Sequence, residues 1–166
     1  GMDFDVRRFG SATITTPQEG DLLRHLRRVE ELLRRADHIR IAADTIAPRS
    51  LEEQRDRVVI ASGDDLLIES VITGDAIDHA LAAERFAGFV RDLLESGRAP
   101  VYRYDGTIPM VFAIADEIAI LAPTDAQKLP GAVIETDDEV IRAWVETKID
   151  EFREQSTELT VEDLTN

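Results

Sequence analysis

The stretch over residues 100–136 limits the fold more than any other part of the chain. It is a succession of short apolar runs, 100–104, 109–115, 118–122 and 131–136, with Asp105-Gly106 and Asp116-Glu117 as turn pairs between the first three. Runs of this length bounded by turn residues read as strands, and Asp-Gly between two of them is a hairpin signal. The spacing predicts an antiparallel meander of four strands. Such a meander has an apolar face that other elements must cover.

The flanking segments supply that cover. Thr16, Pro17 and Glu19 make a capping-box pattern for a first helix. Leu22, Leu23, Leu26, Val29, Leu32 and Leu33 then recur at helical spacing as far as Ala36. Residues 38–43 (HIRIAA) alternate as a short strand. Pro48 opens a second helix to about Arg57, with Ser50 and Glu53 as a further capping pair, and 58–61 fits either a helix end or a strand. Ser62-Gly63-Asp64-Asp65 is a turn by composition. Residues 66–73 (LLIESVIT) are the strongest strand of the first half. Asp75 caps one long helix through Glu95, with Ile77, Leu81, Phe86, Phe89, Val90, Leu93 and Leu94 inward and Gly97 as its stop. Asp137 and Asp138 start a last helix to about Gln155, on which Val140, Ile141, Trp144, Val145, Ile149 and Phe152 share a face. Residues 12–15 read as a lead-in or edge strand, and 161–166 as a polar tail that frays. The sum is a mixed α/β (α+β) fold: one mixed sheet, with the meander in its C-terminal half and helices around it. Residues 2–160 form a single domain.

Composition removes several classes of function. There is no cysteine, which excludes disulfides, thiolate catalysis and cysteine-ligated metal sites. The longest apolar stretches are interrupted by Asp116 and Glu117, well short of the roughly 20 residues a membrane span requires. No basic-then-apolar leader opens the sequence, so a cytoplasmic setting is expected. The formal net charge is -15, from 34 acidic and 19 basic residues, and only Lys128 and Lys148 are lysines. Abundant Asp and Glu with almost no Lys resembles the proteins of salt-accumulating archaea. Molar salt shortens the Debye length to about 3 Å and relieves the self-repulsion of such a surface. At ordinary salt this chain should repel nucleic acid.

Catalytic patterns are missing. His25, His38 and His79 share no metal-ligand spacing, and neither a phosphate loop, a dinucleotide fingerprint nor a G-x-S-x-G elbow is present. The acidic pairs Asp64-Asp65, Asp116-Glu117 and Asp137-Asp138 fall at turns or a helix start, where solvated caps explain them. Arg24, Arg27, Arg28, Arg34 and Arg35 interleave with Glu30 and Glu31 on the first helix and read as helical ion pairs. No cofactor and no metal are expected, and the protein is not expected to be an enzyme.

The segment VYRYDGTIPMVFAIADE holds both tyrosines. Strand alternation puts Tyr102 and Tyr104 on one face and Arg103 on the other with Val101. Tyrosines with an apolar body and a polar tip suit a ligand pocket, and equally the rim of a core. Strand position and residue chemistry make Tyr102, Arg103, Tyr104, Asp116 and Glu135 the candidate ligand-binding residues.

From here the sequence resembles the effector domain of archaeal winged-helix transcriptional regulators, a family that includes a methanogenesis regulator and many halophile paralogues. The resemblance rests on Tyr102 and Tyr104, Ile108-Pro109, Asp116, Glu135-Thr136-Asp137, Trp144, Arg153 and Leu159-Thr160. It is good over 100–160 and order-consistent over 22–96. It implies a domain that senses a small-molecule or protein effector and forms a homodimer, reaching DNA only through a winged helix that these residues do not contain. The topology is also similar to the phospholipase-D-like sensor domains of archaeal sugar regulators, but the His-x-Lys signature of active phospholipases is absent. The expected contact surfaces for a second copy are the apolar face of the last helix and an exposed strand of the meander. The alternatives are a small metabolite enzyme working through paired carboxylates, or a purely structural interaction domain.

Overall fold

The two alternating runs of the first half become the centre of the sheet, not its edge. In the computed structural model, which describes residues 5–60, 66–124 and 131–165, His38–Ala43 (β2) lies parallel to Leu67–Thr73 (β3). Thr13–Thr15 (β1), Val101–Tyr104 (β4), Met110–Ala115 (β5), Ile118–Pro123 (β6), Val133–Thr136 (β7) and Thr157–Glu158 (β8) complete one eight-stranded sheet. Its order is β1-β7-β6-β5-β2-β3-β4-β8, with β2, β3 and β4 parallel and the remaining pairs antiparallel. The predicted α/β class and mixed sheet are therefore present.

Period-2 alternation divides the core in two. Ile39, Ala43, Ile68, Ile72, Ala113, Ala115, Ile120 and Ala122 face one layer. Helices Arg24–Arg35 (α1), Pro48–Ile60 (α2), Gly74–Leu81 (α3) and Glu84–Glu95 (α4) lie on that side. Ala42, Val71, Phe112, Ile114, Ala119 and Leu121 face the other layer, which is covered by Glu139–Glu154 (α5). Asp138 caps α5, its carboxylate accepting from the backbone N–H of Val140 and Ile141 at 3.0 Å each. Ile141, Val145 and Ile149 are fully buried. The apolar face of α5 is thus spent on the sheet, and the outer meander strand β7 is covered by β1. Neither of the surfaces expected to receive a second copy is open.

Several local expectations are corrected. The Asp105-Gly106 hairpin does not form: β4 pairs with β3 and β8, and β5 with β2 and β6, so only β5-β6-β7 is a meander. Residues 105–109 instead carry the chain past the ends of β3 and β2, about 14 Å at normal strand spacing, within the reach of five extended residues. Ile108 is buried on the way. Gly106 is needed where the chain passes Tyr104, because a Cβ there would lie 2.7 Å from the ring. Helix α1 starts at Arg24, not at Thr16. Gly20 adopts φ +84, which breaks the expected first turn, and Leu22 and Leu23 are left exposed.

Ser50 sits inside α2, its hydroxyl accepting from Gln54 Nε2 at 3.3 Å, and α2 runs on to Ile60. The long helix expected from Asp75 is two helices that part at Ala82 and Ala83. Ala83 is extended (φ -97, ψ 121), and the bend lets α4 pack on α2 while α3 stays on β3 and β4. Within the tail, Val161–Thr165 forms a 3-10 turn against α4, next to the buried Leu159. The Ser62-Gly63-Asp64-Asp65 turn lies outside the described residues. No helix among the described residues is long and apolar enough to cross a membrane.

Candidate functional site

In α/β sheets, ligand crevices open beyond the carboxyl ends of the parallel strands, because the crossover helices leave room there. This chain has such a crevice, of about 720 Å3, within the range of small-molecule sites. Asp44 and Thr45, immediately after β2, form one wall. Asp75, Ala76, His79 and Ala80 of α3 form another, and Leu51 of α2 with Phe86 of α4 supplies apolar surface. The bend between α3 and α4 adds Ala82 and Ala83, whose small side chains keep the space open.

Asp44 Oδ1 is buried and accepts no hydrogen bond from the described residues. The Thr73 hydroxyl, on the last residue of β3, is also buried without a partner among the described residues, but it does not line the crevice and shares its face of the sheet with Val71, under α5. Native structures pair nearly all such atoms, so the Asp44 oxygen marks a place where a ligand or ordered water completes the set.

Arg103 stands beside the start of α3. Its guanidinium donates to both carboxylate oxygens of Asp78 at 2.8 and 3.1 Å and to Asp105 at 3.2 Å. It lies so close over Gly74 that a Cβ there would come within 2.7 Å of Nη2. The hydrogen bond from Arg103 holds the Asp78 carboxyl below the usual carboxylate range.

The five residues singled out in the sequence are not gathered into one site. Tyr102 and Tyr104 do share a face opposite Arg103, but that face lies under α5, where the Tyr104 ring meets Phe152 edge-on at 5.1 Å. Asp116 occupies the two-residue β5–β6 turn in the left-handed region (φ 53). Its Oδ1 accepts from the backbone N–H of Asp37 at 3.1 Å and of His38 at 3.0 Å, tying the turn to the start of β2. Glu135, on β7, receives Arg28 of α1 bidentately at 2.8 and 2.6 Å. Five strand positions separate β7 from β4, about 24 Å. Asp44, Thr45 and Asp75 were missed as a site because nothing in their local sequence distinguishes them. The usable signal was positional: each lies within two residues of the end of a predicted strand.

A second recess, of about 210 Å3, lies between α1 and α2. Arg57 crosses it to donate to the carbonyls of Leu33 at 2.8 Å and Ala36 at 2.7 Å, which closes the end of α1. Among the described residues no group of His, Asp and Glu could hold a metal ion.

A family model described as methanogenesis regulatory protein FilR1, middle domain, matches residues 22–155. No curated protein sequence matches significantly. Solved structures share the fold. TrmBL2, described as an archaeal chromatin protein with a novel mode of DNA binding, is 15% identical with a TM-score of 0.62, over 89% of this chain and 54% of that one. Nuc from Salmonella typhimurium, a phospholipase D family member, is 14% identical with a TM-score of 0.61, over 90% and 98%. The phosphatidylserine synthase of Haemophilus influenzae Rd KW20 is 16% identical with a TM-score of 0.62, over 90% and 39%. At these identities the likeness is one of fold, and it includes the expected phospholipase-D-like topology. This chain spans about half the length of the TrmBL2 chain.

Proposed function

The chain belongs to the family of the FilR1 middle domain, a domain of a methanogenesis regulatory protein, and on that premise we propose that it is the signal-receiving domain of a cytoplasmic transcriptional regulator, binding a small molecule without transforming it. The observation that carries this reading is the 720 Å3 crevice at the ends of β2 and β3 with the unpartnered Asp44 Oδ1 inside it. A regulator domain needs a cavity whose occupancy can alter the packing of neighbouring elements, and this one lies between α2, α3 and α4. DNA binding would come from a domain elsewhere in the regulator, since a surface of this charge repels phosphate.

The test is a metabolite screen by thermal shift in molar KCl. A compound present at 100 times its dissociation constant adds about 2.7 kcal/mol, roughly 5–10 °C for a chain of this size. The shift should vanish in Ala82→Trp, which fills the mouth of the crevice at an exposed position, and should survive Tyr104→Phe. A blank screen, or a shift untouched by Ala82→Trp, overturns the crevice as the sensing site.

Dimerisation belongs to the same reading, on a different surface from the one first expected. Ile14 (61% exposed) on the edge strand β1, and Leu22 (69%) and Leu23 (59%) just ahead of α1, are the exposed apolar side chains that this reading assigns to a second copy of the chain. Light scattering should give twice the monomer mass for the wild type and the monomer mass for the Leu22→Glu, Leu23→Glu double variant. A wild type that remains monomeric at high concentration removes the dimer.

A further inference from the structure

The chemistry of the crevice restricts what can occupy it. Its polar lining, among the described residues, is Asp44, Thr45, Asp75 and His79, and it contains neither Arg nor Lys. Among the described residues, the guanidinium of Arg103 beside it is committed to Asp78 and Asp105. The N-terminal end of α3 favours negative charge, but Asp75 already stands in its first turn. Among the described residues, an anionic ligand would therefore meet two carboxylates and no unengaged cation. A neutral polyol could donate to Asp44, but a carboxylate oxygen shielded from water is satisfied far better by an ionised N–H donor, whose hydrogen bonds are roughly twice as strong as neutral ones. Leu51, Ile46, Ala80 and Phe86 offer apolar surface for a short carbon skeleton, and Phe86 adds an aromatic wall of the kind that attracts ammonium groups.

We propose that the crevice takes an organic cation: a compact metabolite carrying a protonated amine, with its nitrogen on Asp44 and Asp75 and its carbon chain against Leu51, Ile46 and Phe86. The assignment rests on the ligand-sensing reading and narrows it.

Matched probes of equal size test it: butylamine, 1-butanol and butyrate, with putrescine as a dication, followed by saturation-transfer NMR and titration calorimetry at constant ionic strength. Butylamine and putrescine should bind at least about tenfold tighter than 1-butanol, and butyrate should not bind. Asp44→Asn should remove that advantage, and Ala82→Trp should remove binding altogether. Asp75→Asn, at an exposed position, provides a second variant if Asp44→Asn lowers the melting temperature. If 1-butanol or butyrate binds as well as the amines, or amine binding survives both carboxamide variants, the cation assignment fails. If in addition the metabolite screen yields a neutral or anionic ligand sensitive to Ala82→Trp, the sensing reading stands without it. If neither the probes nor the screen gives any binding, both fall.

Discussion

Ile149→Ala should destabilise the protein by about 4 kcal/mol, a fall of roughly 10 °C in melting temperature. On one side of the sheet the layer is built around a single long helix, α5, and Ile141, Val145 and Ile149 form its fully buried seam against Ala42, Val71, Phe112, Ile114, Ala119 and Leu121. The sheet below is held on its other side by four helices and cannot rise to close a cavity. The small residues Ala42 and Ala119 beneath the helix have no volume to give. The lost contacts are therefore not recovered by collapse, which places the substitution in the upper part of the usual range. Val140→Ala on the same helix, at a position 37% exposed, should cost less than about 1 kcal/mol and serves as the internal control. Chemical denaturation of the two variants checks this. Equal losses would mean that α5 is not the rigid cover described.

Glu69→Leu should cost about 3 kcal/mol, and Arg40→Leu added to it should recover most of the loss. Glu69 on β3 points toward α5 and is 7% exposed, yet it is ionically satisfied: Arg40 Nε of β2 donates at 2.5 Å and Arg153 Nη1 of α5 at 2.6 Å. Arg40 also donates to Asp150 of α5 at 2.5 Å. Burial works against the charge on Arg40, and the hydrogen bonds to Glu69 and Asp150 overcome it, leaving its pKa above the ordinary value. Removing Glu69 alone strands a shielded guanidinium with half its partners. Removing both members replaces a desolvated pair with apolar volume, which is commonly neutral or better. A double-mutant cycle in urea measures the coupling, and a single-variant loss below about 1 kcal/mol would show the pair to be solvated. The cycle should give much the same coupling in molar KCl, because shielded pairs escape the screening that removes surface ones.

This network also shows how far the sequence could be read. Glu69 interrupts the run LLIESVIT, and strand alternation places it on the same face as Val71, but its partners lie 29 and 84 positions away. The same holds for Glu135. It was singled out on residue chemistry, but its bidentate contact with Arg28 across 107 positions makes it a clasp between β7 and α1. The tyrosines were placed on the correct shared face. Which body would cover that face could not be read, and α5 covers it. The crevice carried no local signal at all, since Asp44, Asp75 and His79 are unremarkable residues brought together only by the ends of two parallel strands and a bend in a helix.

What the sequence determined by itself is therefore what short-range physics controls. Alternation of period 2 marked the strands and divided their faces, apolar spacing marked the helices, and Asp138 and Gly97 marked a start and a stop. Those signals act over a few residues, where sterics and hydrogen bonding decide the outcome. The tertiary structure decided the strand order, which overrode the Asp105-Gly106 hairpin, as well as the bend at Ala82–Ala83 and the crevice that follows from both. The reason is energetic. A hairpin turn is a local preference of small size, whereas β5, buried on both faces, gains more by lying between β2 and β6 than by pairing with β4, which precedes it in sequence.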